Sequence, residues 1–103
     1  MITFHTQASA NISMFQADAL RMLRMMGVGD SVPGAIRAAD VPDALRRLQA
    51  SVTEAQRNFV PAQDAADDEE VAPETRAQPL IRLLNDAASA GKDVLWSDAS
   101  LFD

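Results

Sequence analysis

Val41-Pro42-Asp43-Ala44-Leu45-Arg46-Arg47-Leu48-Gln49-Ala50-Ser51-Val52 opens the longest periodic segment of the chain, and the fold class follows from what that segment needs. Val41, Leu45, Leu48, Val52, Ala55 and Phe59 recur in steps of three and four over about five turns, the spacing of a helix with one apolar stripe. Arg46, Arg47, Glu54 and Arg57 take the other faces. Asp40 is a good N-cap, and Pro42 falls in the first turn, where a missing N–H costs nothing. Asp43 adds negative charge near the positive helix end. Such a helix must bury its stripe against other elements, so the flanking sequence decides the architecture.

Upstream, Ile2-Thr3-Phe4-His5-Thr6 alternates apolar and polar residues, which predicts a short strand within 1–6 with one buried face. Residues 7–12 are small and polar and fit a connection. Ser13-Met14-Phe15-Gln16 has the spacing of a capping box and predicts a helix over 14–26. Its buried stripe is Phe15, Ala19, Met22, Leu23 and Met26, with Asp18 and Arg21 paired on the wet side. Gly27 supplies a left-handed stop. Turn residues fill 29–34, and Ala35-Ile36 is expected to form a second, very short strand.

Downstream the periodicity collapses over 60–78, where prolines, alanines and an acidic run offer too little apolar surface to offset ordering entropy, so a flexible acidic tether is expected. Pro79 opens a third helix whose apolar face is Leu80, Ile81, Leu84, Ala87 and Ala88, stopped by Gly91. Val94-Leu95-Trp96 reads as a third strand and 97–103 as a loose tail. Ala19-Leu20-Arg21-Met22-Leu23 echoes Leu80-Ile81-Arg82-Leu83-Leu84, a pattern short enough to arise by chance. The expected fold is α+β in one small domain, 1–103: three amphipathic helices and a small sheet of short strands, in the order β-α-β-α-linker-α-β. The alternative is a mostly helical bundle, because every strand is short.

Composition removes many functions. The 103 residues are 48% hydrophobic, too rich for full disorder. There is no cysteine, which excludes disulfides, thiol catalysis and Cys-based metal sites. No secretory signal and no run long enough to span a membrane is visible, so a cytoplasmic protein without membrane contact is expected. The formal net charge is −6, and six of the fifteen acidic residues, Asp64, Asp67, Asp68, Glu69, Glu70 and Glu74, fall within eleven positions. Outside that run the chain is close to neutral and has no basic patch, which disfavours nucleic acid.

Few residues carry chemistry. His5 is the sole histidine, and no nucleophile motif surrounds it. Gly27-Val28-Gly29 follows a helix instead of preceding one, and no Walker lysine follows, so it reads as a turn and not a phosphate loop. Asp67-Asp68-Glu69-Glu70 lacks the glycine and glutamate spacing of a calcium loop and reads as solvated linker. No catalytic, cofactor or metal residue is therefore assigned. Met22, Met25 and Met26 crowd one helix end as core filling or as a candidate adaptable pocket. Trp96 is either core or an interface anchor.

Several stretches together resemble a known bacterial family. Thr3-Phe4, Met14-Phe15, Leu20-Arg21-Met22-Leu23-Arg24-Met25-Met26-Gly27, Val32-Pro33-Gly34-Ala35-Ile36 and Asp40-Val41-Pro42-Asp43-Ala44-Leu45 are similar to domain of unknown function 1840. Arg76-Ala77-Gln78-Pro79-Leu80-Ile81-Arg82-Leu83-Leu84 and Val94-Leu95-Trp96 resemble its C-terminal half. The resemblance implies a small bacterial protein with a variable acidic linker and no activity, substrate or catalytic residue to carry over. This chain has Val28 where the family often has a histidine.

Two functions are expected from these residues. The first is a non-enzymatic interaction module, a homodimer or an adaptor, presenting Leu80, Ile81, Leu84 and Trp96 to a protein partner. A tethered third helix docking on another copy is one route to it. The second is a small-molecule binding protein with an apolar pocket at Met22, Met25 and Met26. No cofactor is expected in either case.

Overall fold

The structure, a computed structural model, describes residues 1–29, 31–58 and 73–98. Strands β1 (Ile2–Thr6), β2 (Ser9–Met14), β3 (Gly34–Ile36) and β4 (Val94–Asp98) form one antiparallel sheet in the order β2-β1-β4-β3. Helices α1 (Gln16–Met26), α2 (Val41–Asn58) and α3 (Pro73–Ala90) supply the rest, with a single 3-10 turn (Ala38–Asp40) leading into α2. The α+β class and the small sheet joining the two ends of the chain are as the sequence predicts. Alternation explains why the first and last strands take the centre: Ile2, Phe4, Val94 and Trp96 all turn into the core. A strand flanked on both sides by neighbours buries its inward face most completely.

Phe4 lies opposite Ile12 on one side and Trp96 on the other, and Trp96 lies opposite Gly34. The Phe4 and Trp96 rings are 6.0 Å apart between centroids and tilted by 43°, a geometry that adds about 0.5–1.5 kcal/mol beyond area burial. Gly34 is required by this neighbour. A Cβ there would lie 2.7 Å from the indole Nε1 and closer still to Cζ2. The indole N–H donates to the Ser31 carbonyl at 2.8 Å, pinning the turn before β3 to the last strand.

β2 corrects the sequence reading, which had a connection over 7–12. Its small polar residues have weak strand preference, and pairing with β1 overrides it. The same pairing displaces the predicted capping box. Ser13 shares a 2.9 Å hydrogen bond with Thr3 across the strands, and α1 begins at Gln16 with no side-chain cap. Phe15 precedes the helix and is 71% exposed, so it leaves the predicted stripe; Ala19, Met22, Leu23 and Met26 stay buried. Gly27 ends α1 at φ 73°, as its position demands.

The α2 stripe is buried at Val41, Ala44, Leu48 and Val52, with Leu45 packed at its margin. Phe59 lies outside the described residues. Asp40 is not the N-cap, because the 3-10 turn runs straight into the helix and the N–H groups of Asp40 and Val41 donate to the Arg37 carbonyl. The capping carboxylate comes from far away: the Ala38 N–H donates to Asp93 Oδ1 at 2.7 Å. Replacing Asp93 with alanine is expected to cost about 1 kcal/mol, read as a lower urea midpoint with an unchanged slope.

α3 starts at Pro73, not at Pro79, so residues 73–78 of the expected tether are helical; residues 60–72 and 99–103 lie outside the described residues, and 97–98 extend β4 instead of belonging to a tail. Pro79 sits inside the helix. An interior proline sacrifices a hydrogen bond. The buried row of Ala77, Leu80, Leu83, Leu84 and Ala87 offsets that loss through packing. Asp18 pairs with Arg76 rather than with Arg21; one guanidinium nitrogen reaches its two oxygens at 2.9 and 3.0 Å. This contact ties α1 to α3. α2 packs against both other helices, α3 also lies on β1 and β2, and the core forms between the helices and one face of the sheet.

Candidate functional site

The residues singled out from the sequence turn mostly inward. Leu80 and Leu84 are fully buried and Trp96 is 3% exposed, so within the single chain they belong to the core. The apolar face of α3 is covered by its own chain, and burial within one chain pays no association entropy. Ile81 is half-buried and reaches a cleft of about 490 Å³ between α2 and α3, beside Val52, Thr53 and Arg57. The methionines also fill space. Met22 and Met26 are buried and Met25 packs at the core margin. Met26 borders a shallow cleft of about 290 Å³ whose rim carries Arg37, Asp40, Asp43 and Arg47, a charged mouth and not an apolar pocket.

His5 lies half-buried on the other side of the sheet, opposite Leu95 in register. It borders a cleft of about 540 Å³ with Gln7, Asn11 and Lys92. The carboxylate at that cleft is Asp93, whose Oδ1 is committed to the Ala38 N–H. No hydrogen-bond partner orients the imidazole among the described residues. Nor do the described residues bring together three or more His, Asp or Glu side chains that could hold a metal ion.

What the structure exposes is a sheet surface. With the helices stacked on one face, the other face carries Thr3 and His5 from β1, Ser13 from β2, Ala35 from β3, and Leu95 and Ser97 from β4. Registry places His5 and Ala35 on either side of Leu95, which is 42% exposed. None of these six side chains carries a formal charge with histidine neutral, on a chain whose net charge is −6. A single exposed leucine is ordinary. The strands present no carboxylate, lysine or arginine on this face, and Lys92 and Asp93 stand only at its margin beside His5, so it offers little repulsion between two copies. The alternation of Val94, Leu95 and Trp96 carried the signal for Leu95, but whether its side faced water depended on where the helices stacked.

No described helix is long and apolar enough to cross a membrane. Neither the curated proteins nor the solved structures compared with the chain contain a match. Against protein families the outcome is positive and covers almost the whole chain, both halves of the resemblance included. Residues 1–96 match the family model of a domain of unknown function (DUF1840), and the chain belongs to that family.

Proposed function

We propose that the protein is a non-enzymatic interaction module whose working unit is a homodimer. The observation that supports this is the open sheet face, whose strands carry no carboxylate, lysine or arginine there. The acidic run over 64–74 carries most of the excess negative charge, and the open sheet face has no carboxylate on its strands, so two copies can approach there without bringing like charges together. Self-association of this kind leaves the helical core intact and asks nothing of Leu80, Leu84 or Trp96 beyond holding the frame. Sedimentation equilibrium of the full chain tests it. A reversible monomer–dimer equilibrium is the expected result. A monomer persisting to about 1 mM, equivalent to less than about 4 kcal/mol of association, overturns the reading.

A further inference from the structure

β2 and β3 are the two edges of the sheet, and they differ. β3 has three residues and is followed at once by Arg37, a short and charged edge of the sort that resists pairing. β2 has six residues, Ser9-Ala10-Asn11-Ile12-Ser13-Met14, with neither a charge nor a proline. Among the described residues its protection is limited to the register shift between Phe4 and Thr6 at the hairpin end. Along this edge runs a groove of about 580 Å³ between β2 and α3. Ala10 and Ile12 line one wall, Pro79, Arg82 and Asp86 the other. Ile12 is half-buried against the core, and Ala10, Arg82 and Asp86 are exposed.

Arg82 and Asp86 stand one helical turn apart, and neither has an ion-pair partner among the described residues. A two-fold contact brings a patch against itself, so the patch must be complementary to its own reversed image. One positive and one negative group spaced along the helix meet that condition: reversal sets Arg82 against Asp86 and Asp86 against Arg82. A foreign acidic or basic segment would find half of the pair repulsive. Strand parity agrees. Residues directly opposite in an antiparallel pair share a face. Pairing Ile12 with itself therefore keeps Ile12 and Met14 on the helical side in both copies.

We propose that β2 is the dimer contact. Two copies join β2 to β2 antiparallel about a two-fold axis near Ile12, forming one eight-stranded sheet. Each α3 groove closes against its counterpart, with an Arg82–Asp86 ion pair exchanged in each direction. This contact rests on the self-association reading and places it on the β2 edge instead of the open sheet face. It also joins the two open sheet faces into one continuous platform.

Charge exchange on the full-length chain tests it, with dimer dissociation constants from sedimentation and folding checked by circular dichroism. Arg82→Asp and Asp86→Arg are each expected to weaken the dimer about tenfold, since each substitution sets like charges together twice. The double exchange, Arg82→Asp with Asp86→Arg, is expected to restore it. Ala10→Lys, which puts a charge on the edge at an exposed position, is expected to abolish it. A dimer unaffected by all of these but split by Leu95→Arg overturns the edge contact and leaves the self-association reading standing on the open face. A wild-type chain that never dimerises overturns both. A wild-type monomer that instead holds a foreign protein, lost on Ala10→Lys, assigns the edge to another strand and overturns the second copy as its occupant.

Discussion

Trp96→Ala is expected to lower the unfolding free energy by about 3–5 kcal/mol, the range for removing a large aromatic side chain from a core. A domain of this size has about 5–15 kcal/mol in total, so the variant loses a large share of its stability. Three losses act together. The indole is 3% exposed, and truncation leaves a cavity beside Phe4. The tilted ring pair disappears. The Ser31 carbonyl loses the N–H that it accepts from at 2.8 Å. Urea denaturation followed by circular dichroism reads the result. Trp96→Phe separates the contributions, because it keeps most of the packing while removing the N–H, and its cost should be well below that of alanine. A Trp96→Ala variant with wild-type stability would place the residue outside the core.

Gly34→Ala is expected to cost about 1–3 kcal/mol, the usual range for forcing extra volume into a packed site. The added methyl meets the aromatic carbons of Trp96 and its Nε1 at 2.7 Å, and a ring held by a hydrogen bond and by Phe4 has little room to yield. The cause is space and not backbone, because Gly34 belongs to an extended strand opposite Trp96. A double-mutant cycle checks that attribution. In the Trp96→Ala background the same methyl enters the vacated volume, so the cost of Gly34→Ala should fall toward zero. Equal costs in both backgrounds would show that something other than the indole fills the space above Gly34.

These two residues also mark the boundary of what was legible beforehand. Gly34 reads from sequence as turn chemistry and Trp96 as a strand residue of either core or interface. Their mutual need, a residue without Cβ beneath an indole, arises from a pairing of β3 with β4 across about sixty residues. No local pattern carries it. The Asp93 cap is similar: Asp40 satisfies the local capping rule, yet the carboxylate that meets the first free N–H arrives from the residue just before β4. Asp18 likewise has an eligible local partner in Arg21 and takes Arg76 instead. In each case several polar partners are locally acceptable, and the choice among them falls to whichever the packed helices and strands bring within reach.

Phe15 and β2 show the same competition on a larger scale. Ser13-Met14-Phe15-Gln16 is a sound helix start judged by its own residues. Pairing of β2 with β1 turns Ser13 and Met14 into strand residues, so the helix begins later and Phe15 is left outside it. Once that happens, the surface changes character. β2 becomes an uncharged edge, and its groove against α3 becomes the contact proposed for a second copy. Met22, Leu80, Leu84 and Trp96 were apolar candidates because composition cannot say which chain will cover an apolar face.

Periodicity alone determines that three helices each carry a buried stripe, that Ile2 and Phe4 point one way from their strand, and that Gly27 ends a helix, because these depend on side chains within a few residues of one another. The α+β class follows from them, while membership in the family rests on the match over residues 1–96. Tertiary structure alone decides the order β2-β1-β4-β3, which sheet face the helices cover, and so which uncharged face and edge remain in water. Those outcomes depend on contacts between distant segments, whose free energies are fixed by close packing in three dimensions and leave no local periodicity to read.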